Sequence, residues 1–209
     1  MNIGLDACGN ISDVYFQNCA RFEDLKIVAC ADLDQGRAKA RAEQYRVPRW
    51  CSTSELLSAK DVDAVLNLTR PASHFEIAEK ALEAGKHIYN EKPLALTRDQ
   101  GRKLLDAARR KNLRVGCAPD TFMGAGLQTA RRAVDAGSIG RPVGAFGVMM
   151  YSGHESWHPD PEFFYQAGGG PLFDMGPYYL TALVSLLGSG QRVTGTTKPT
   201  YAERTIASG

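Results

Sequence analysis

The chain has 209 residues and a formal net charge of +2; 44% of its residues are hydrophobic and 23% are charged. This composition is typical of a globular protein with one good hydrophobic core and room for a second. The near-neutral charge excludes the strongly basic surface of a nucleic-acid-binding protein, and no apolar run approaches the roughly 18 residues of a membrane span.

The N-terminus and the cysteines favour a cytoplasmic location. The segment Met1 to Gly4 lacks the charged flank and the apolar length of a signal peptide. The five cysteines are scattered and include no C-x-x-C pair. We therefore expect reduced, mostly buried thiols, with neither disulfides nor a metal site.

Strand and helix patterns alternate through the first 120 residues. Ser52-Thr53-Ser54-Glu55 and Thr97-Arg98-Asp99-Gln100 both have capping-box spacing. Strands that alternate with helices predict an α/β fold with a doubly wound parallel sheet, the Rossmann arrangement. The predicted strands are 3–7, 25–31, 62–68, 87–89 and 113–117, and the predicted helices are 12–20, 34–45, 74–84 and 97–111.

The second half, residues 121–209, carries a different pattern. Helices are predicted at 127–136 and 171–187, and strands at 143–151 and from 191 to 197. Residues 153–166 form a loop rich in Trp, His, Pro and Phe. The change of pattern predicts a second domain at 121–209 after a Rossmann domain at 1–120.

The turn after the first strand is the candidate dinucleotide site. It keeps a glycine at Gly9 and a small residue at Ser12, but Ala7 replaces the first glycine of G-x-G-x-x-G. Asp32 follows the second strand at the spacing of a ribose-binding acid and favours NAD over NADP, and Leu33 offers no cation for a 2′-phosphate. A plain turn with a surface aspartate is the alternative. The predicted cofactor-binding residues of the turn are Cys8, Gly9, Asn10 and Ile11.

A Glu-Lys-Pro tripeptide, residues 91–93, ends the strand at 87–89. Ligands of open parallel sheets bind beyond the carboxyl ends of the strands, so Lys92 would lie where such folds perform chemistry. Pro93 biases Lys92 toward an extended backbone and is a candidate for a cis bond. The alternative is a strand-to-helix turn with a surface lysine.

Residues 154–158 match H-E-x-x-H, which binds zinc when both histidines share one helix face. Gly153 precedes the motif and Pro159 follows it, so no helix of useful length fits. We favour a substrate loop in which Trp157 and His158 stack on and hydrogen-bond the ligand. A lid whose aromatic side chains form a local core fits the sequence equally well.

Asp174 and Tyr178 share a helix face if the helix begins at Pro171. A start at Pro177 is the competing choice. A buried helix aromatic is the alternative reading of Tyr178.

Several segments together resemble the Gfo/Idh/MocA oxidoreductases. They are Cys8-Gly9-Asn10-Ile11-Ser12, Asp32, Thr69-Arg70-Pro71 with His74, Ala84-Gly85-Lys86-His87 running into Glu91-Lys92-Pro93, and residues 168–176. The resemblance implies a two-domain NAD(P)-dependent enzyme that oxidises secondary hydroxyls of sugars or cyclitols. Its Rossmann domain would be followed by an α+β domain with an open sheet. Family members continue well beyond the last residue of this sequence, so the resemblance also implies an incomplete second domain and, where that domain is complete, a homo-oligomer.

The resemblance assigns roles to individual residues. It implies that Lys92, Asp174 and Tyr178 are catalytic, with Tyr178 standing where many members have the histidine that accepts the proton. The phenol has an unperturbed pKa of about 10, so it needs a neighbouring cation, which Lys92 and the oxidised nicotinamide would supply. The further implied cofactor-binding residues are Thr69, Pro71, His74, Glu91 and Lys92, and the implied substrate-binding residues are Lys92, Trp157, His158, Asp174 and Tyr178.

Two rival functions remain open from the sequence. One is a glycosidase of the same family that uses tightly held NAD for transient oxidation and elimination. The other is a non-catalytic NAD-binding regulator, which the missing glycine at position 7 favours. The retained Lys92, Asp174 and Tyr178 argue against the regulator.

Overall fold

The computed structural model describes residues 1–158 and 161–206. Pro159, which was expected to keep His158 out of a helix, lies outside these residues. The chain divides into two compact units, Met1–Ala118 and Pro119–Gly209.

The first unit is built on one sheet of six parallel strands in the order β3-β2-β1-β4-β5-β6. This is the doubly wound dinucleotide-binding order, and it confirms the predicted fold class. The two-residue strand β3 was missed because its length carries no periodic signal. The strands are β1 Asn2–Asp6, β2 Lys26–Ala31, β3 Trp50–Cys51, β4 Ala64–Asn67, β5 His87–Asn90 and β6 Val115–Cys117.

Five helices connect these strands, and local capping chemistry sets several of their ends. Both predicted capping boxes are formed, with Ser52 and Glu55 at the start of one helix and Thr97 and Gln100 at the start of another. The helices are α1 Ser12–Cys19, α2 Gln35–Tyr45, α3 Thr53–Ser58, α4 His74–Glu83 and α5 Arg98–Lys111.

Apolar side chains cover both faces of the sheet. On β1, Ile3 and Leu5 face the cluster that includes Phe16 of α1. On the neighbouring β4, Val65 faces the opposite cluster, which includes Leu82 of α4 and Leu104 of α5. Burial on both faces explains why the central strands read as nearly continuous apolar runs.

The second unit contains the helices α6 Ala125–Asp135, α7 Gly170–Asp174 and α8 Gly176–Leu187. None of the helices in the described part of the chain is long and apolar enough to cross a membrane. The predicted strands at 143–151 and 191–197 are wrong, since no strand forms among the described residues from 119 onward. A strand requires hydrogen bonds to a neighbouring strand, and Val143 and Phe146 instead remain 98% and 99% exposed.

The helix predicted at 171–187 is two helices, and both competing starts occur. Pro171 lies in the first turn of α7 and Pro177 in the first turn of α8, where a missing amide hydrogen costs nothing. The helical conformation is interrupted at Met175, between α7 and α8. Asp174 therefore ends one helix and Tyr178 lies in the first turn of the next.

The carboxyl end of β1 buries a carboxyl group. Asp6 is 1% exposed; its Oδ1 accepts a hydrogen bond from Thr53 Oγ1 at 2.8 Å. Its Oδ2 has no hydrogen-bond partner among the described residues. Burial raises the pKa of Asp6 from 3.8 to about 6, against the Thr53 hydrogen bond and with help from the negative charge of Asp32.

We predict that Asp6→Asn stabilises the protein at neutral pH. A carboxyl whose folded pKa is raised loses stability as pH climbs from the unfolded pKa to the folded one, and the full shift is worth about 3 kcal/mol above pH ~6. The gain in the free energy of unfolding should therefore be present at pH 7.5 and absent at pH 4, as measured by urea denaturation. The exposed Asp24→Asn variant is the control, and an equal gain at both pH values would contradict the prediction.

Ala7, the residue after β1, has a φ of 78°, in the left-handed region. Its N–H donates to Ala31 O at 2.9 Å, so the adjoining strand fixes this conformation. An L-residue with a side chain pays roughly 1–2 kcal/mol there, and glycine does not. Alanine thus replaces the first glycine of the motif at a position whose positive φ favours glycine.

We predict that Ala7→Gly raises the free energy of unfolding by about 1 kcal/mol, because relief of the unfavourable φ exceeds the extra backbone entropy of glycine. Thermal denaturation should show a higher Tm. Ala29→Gly, in the buried part of β2, is the matched control and should lower the Tm. A lower Tm for Ala7→Gly would show that its side chain stabilises the turn.

Candidate functional site

The turn between β1 and α1 presents an open backbone surface. A Cβ added to Gly9 would meet no atom within 4 Å, and Asn10 and Ile11 are exposed. Ser12 is buried, and its Oγ donates to Gly9 O at 2.6 Å. The Ser12 N–H also donates to Gly9 O, at 3.0 Å, so Ser12 holds the turn, and the exposed Asn10 and Ile11 lie beside the N-terminus of α1, where an anion is favoured.

Asp32, at the end of β2, is buried and clamps this turn. Its Oδ2 accepts from the Cys8 N–H and its Oδ1 from the Asp34 N–H, both at 2.8 Å. The alternative of a surface aspartate is wrong. Arg37 Nη1 lies 3.6 Å from Oδ1, so a cation that Leu33 does not offer comes from α2 instead. This arginine was missed, and its position in the first turn of α2, shortly after Asp32, was the available signal.

Two buried asparagines organise the loops after β4 and β5. Asn67 Nδ2 donates to Asn90 Oδ1 at 3.0 Å, across the paired ends of the strands. Asn67 Oδ1 accepts from the N–H and the hydroxyl of Thr69 at 3.2 and 2.6 Å. Asn90 Nδ2 reaches Leu94 O at 3.0 Å. These asparagines were also missed, although a polar residue ends each apolar strand.

His74 is fully buried and joins the same two loops. Its Nδ1 lies 2.6 Å from Pro93 O and its Nε2 lies 2.8 Å from Thr69 O. Both partners are backbone carbonyl oxygens. The imidazole is thus placed to position Thr69 and the Lys92-Pro93 segment, and it has no surface of its own to offer a ligand.

Glu91 is held by its neighbours at the end of β5. Tyr15 of α1 donates its hydroxyl to Glu91 Oε1 at 2.6 Å, and the Lys92 N–H lies 3.0 Å from Oε2. The Lys92-Pro93 peptide bond is cis. Lys92 and Pro71 are both half-buried. Tyr15 lies one turn into α1, and no sequence pattern pairs it with Glu91.

In the second unit, Asp174 binds a histidine that the sequence reading had not connected with it. His154 Nε2 lies 2.8 Å from Asp174 Oδ2, and Tyr151 Oη lies 2.6 Å from the same imidazole. His154 is buried, whereas the Asp174 side chain is 15% exposed. Tyr178 is half-buried, and its N–H donates to Met175 O at 3.1 Å.

The H-E-x-x-H segment forms one 3-10 turn, His154–Ser156, and not the α-helix that a zinc motif needs. Among residues 1–158 and 161–206, no three His, Cys, Asp or Glu side chains converge as metal ligands. Phe164 is the centre of a local aromatic core against which His154 and His158 pack, and Trp157 is 64% exposed at its edge. Local core and exposed aromatic surface therefore coexist in this loop.

The glycine run 168–170 permits close packing beside this core. Gly168 and Gly170 have φ of 88° and 84°. A Cβ on Gly169 would lie 2.4 Å from Phe164 O. Only glycines fit this path, which delivers the chain to α7 and Asp174.

Sequence comparisons place both units in one family. Residues 1–118 match the oxidoreductase family with an NAD-binding Rossmann fold, GFO_IDH_MocA, and residues 127–207 match the GFO/IDH/MocA C-terminal domain. The chain spans about half the length of the curated relatives it matches.

Two relatives and one solved structure illustrate the similarity. The chain is 36% identical to a 1,5-anhydro-D-fructose reductase of Ensifer adhaerens over 82% of this chain and 52% of that protein. It is 30% identical to a D-glucoside 3-dehydrogenase of Escherichia coli over 90% of this chain and 54% of that protein. A crystal structure of an NAD binding oxidoreductase from Klebsiella pneumoniae superposes with a TM-score of 0.71 at 28% identity, over 90% of this chain and 53% of that one. The family match extends over most of the sequence, and the chain belongs to the Gfo/Idh/MocA oxidoreductases.

Proposed function

We propose that the protein transfers a hydride between NAD and a secondary hydroxyl, or the matching ketone, of a sugar or cyclitol. The observation that carries this proposal is the buried Asp32 clamping an open glycine turn at the carboxyl edge of a doubly wound sheet. The two relatives named above act, by name, on sugar-type substrates.

The residues of the turn fit a dinucleotide. The open backbone at Gly9, Asn10 and Ile11 suits a pyrophosphate, with Cys8 fixing the turn through its N–H bond to Asp32. Each Asp32 oxygen already accepts one N–H, and a carboxylate oxygen has two acceptor sites, so each can take a ribose hydroxyl as well. NAD supplies a hydride acceptor, and the chain binds and orients it.

The loops after β4 and β5 would shape the nicotinamide half of the cofactor site. Thr69, Pro71 and Glu91 offer polar and apolar surface at the same sheet edge, and Asn67 holds Thr69 through its N–H and hydroxyl. His74 acts as a positioning residue because both of its nitrogens are engaged by backbone carbonyls.

Lys92, Asp174 and Tyr178 would handle the substrate proton. Tyr178 accepts the hydroxyl proton as hydride leaves the carbinol carbon, and a cation is needed to bring a phenol into range at neutral pH. Lys92 supplies that cation and binds the substrate hydroxyl, and Asp174 binds the substrate. Trp157 and His158 would add stacking and a hydrogen bond to the sugar.

The two domains would have separate roles. Residues 1–120 serve as the cofactor domain and 121–209 as the substrate domain, which in a complete protein also mediates homo-oligomerisation. We place the protein in the cytoplasm, because its cysteines are free and four of the five are buried.

We predict NADH formation from at least one polyol in a panel of sugars and inositols. Tyr178→Phe should lower kcat by about 100-fold or more, because it removes the proton acceptor, and NAD affinity should be unchanged. Lys92→Ala should lower kcat/KM by a similar factor. NADH absorbance measures kcat and kcat/KM, and a fluorescence titration measures the affinity for NAD.

The same assay separates the rival functions. Release of nitrophenol from a nitrophenyl glycoside without net NADH would indicate the glycosidase. Tight NAD binding with no turnover of any polyol or glycoside would indicate the regulator and contradict the proposed dehydrogenase.

We predict that Asp32→Ser moves cofactor preference toward NADP. The variant removes the carboxylate that binds the ribose and repels a 2′-phosphate, and it leaves the Arg37 guanidinium 3.6 Å from the vacated position. The ratio of the NAD and NADP dissociation constants should change by about tenfold, or ~1.4 kcal/mol. The double variant with Arg37→Ser should lose the NADP gain; an unchanged ratio in Asp32→Ser would remove Asp32 from the ribose site.

A further inference from the structure

We propose that Asp6 takes up a proton when the dinucleotide binds, so that the affinity for NAD falls as the pH rises through the neutral range. The inference rests on the proposed cofactor site at the turn after β1. It gives a role to a buried carboxyl group that hydride transfer does not use. Its grounds are the burial of Asp6, its incomplete hydrogen bonding and its place immediately before that turn.

Asp6 lies on the face of β1 that packs against α3. Gly4 is two residues earlier on the same face, and a Cβ added there would lie 3.0 Å from Leu56 Cδ1. Leu56 is fully buried, and Asp6 is 1% exposed. The Asp6 side chain therefore lies within packed protein, where an ionised carboxylate loses the solvation that water supplies.

The protein does not replace that solvation in full. Thr53 Oγ1 donates to Asp6 Oδ1 at 2.8 Å, whereas Oδ2 has no hydrogen-bond partner among the described residues. An ionised carboxylate offers about four acceptor sites, so most of them stay unused. A proton on Asp6 removes the buried charge, and burial accordingly raises the pKa of this group to about 6.

The chain leads directly from Asp6 into the candidate pyrophosphate site. Two residues separate Asp6 from Gly9, and one of them, Cys8, donates its N–H to Asp32 Oδ2 at 2.8 Å. The negative charge of Asp32 adds to the rise in the pKa of Asp6, so charge at this edge of the sheet acts on the buried carboxyl group. A pyrophosphate bound at the turn would bring further negative charge to the same edge and disfavour the ionised form of Asp6.

Linkage between the two sites fixes the direction of the effect. When a bound dinucleotide raises the pKa of Asp6, the complex holds more protons than the free chain at every pH between the two pKa values. The dissociation constant for NAD is then constant well below pH ~6, rises with pH across that interval and levels off above it. One pKa unit of coupling corresponds to about a tenfold change in the dissociation constant.

The other titratable groups near Asp6 come from β3, from the end of β2 and from α2. Burial raises the pKa of the Cys51 thiol on β3, so this group stays neutral at the pH values concerned. Asp32 accepts two amide N–H bonds, and Arg37 Nη1 of α2 lies 3.6 Å from its Oδ1. Because these groups also surround the cofactor site, the proton is assigned to Asp6 by substitution of Asp6 itself.

The first experiment measures NAD binding to the full chain by isothermal titration calorimetry from pH 5 to pH 8. The dissociation constant should rise about tenfold over this range, and near neutral pH the heat should depend on the ionisation enthalpy of the buffer, because binding takes up protons. Asp6→Asn should match the wild type at pH 5 and bind NAD about tenfold more tightly than the wild type at pH 8. Asp24→Asn, at an exposed position, is the matched control and should keep the wild-type rise.

The second experiment uses Thr53→Val and a ligand without phosphate. Thr53→Val deletes the hydrogen bond that favours the ionised form of Asp6, so the rise in the dissociation constant for NAD should begin at a higher pH than in the wild type. Adenosine carries the ribose but no phosphate. Its affinity for the wild-type chain should change by less than about twofold over the same pH range, because it brings no charge to the turn.

A dissociation constant for NAD that is the same at pH 5 and pH 8 would overturn the inference, and so would a rise that persists in Asp6→Asn or that adenosine reproduces. If Asp6→Asn does not fold, the direction of the Thr53→Val shift decides. Binding of NAD that weakens with pH, in a chain that turns over no polyol, would support the inference and count against the proposed dehydrogenase. Failure to bind NAD at any pH would overturn the proposed cofactor site and this inference together.

Discussion

The candidate cofactor site depends on the hydrogen bonds that the Asp32 carboxylate accepts. It accepts one amide from the turn after β1 and one from the turn after β2, so a single buried charge joins two loops that are distant in sequence. A buried carboxylate is costly unless hydrogen-bonded, and two amide donors at 2.8 Å meet that cost. In the proposed cofactor site, a structural and a ligand-binding role would therefore coincide in one side chain.

The rest of the sheet's carboxyl edge follows the same rule of satisfied buried polarity. Asn67 and Asn90 bond each other and then the backbone of the loops, and His74 joins those loops from beneath. Asp6 departs from this rule, because Thr53 satisfies one oxygen and the other has no partner among the described residues. Ala7, the next residue, has an unfavourable φ. The end of β1 thus carries two local costs immediately before the nucleotide turn, where proteins commonly tolerate strain for function.

Sequence patterns predicted what depends on local interactions. The capping boxes at Ser52 and Thr97 involve residues three apart, and both formed. The alternation of strands and helices predicted the sheet class because parallel strands need crossover helices. Predicted and observed ends of these elements differ by one or two residues, which is the ordinary scatter of helix and strand boundaries. Asp32 was found because its distance from Gly9 reflects the length of one such crossover.

What failed or was missed depends on partners far along the chain. The apolar segment at 143–151 has the composition of a strand, but composition does not supply the neighbour that a strand must bond. Tyr15 and Glu91 are 76 residues apart, and His154 and Asp174 are 20 apart and belong to different elements. His154 also shows why a motif needs its context. In H-E-x-x-H the first histidine would bind zinc from a helix, whereas the 3-10 turn formed here directs it to a carboxylate and a phenol. The local backbone therefore decides whether this imidazole could face a metal or faces a carboxylate.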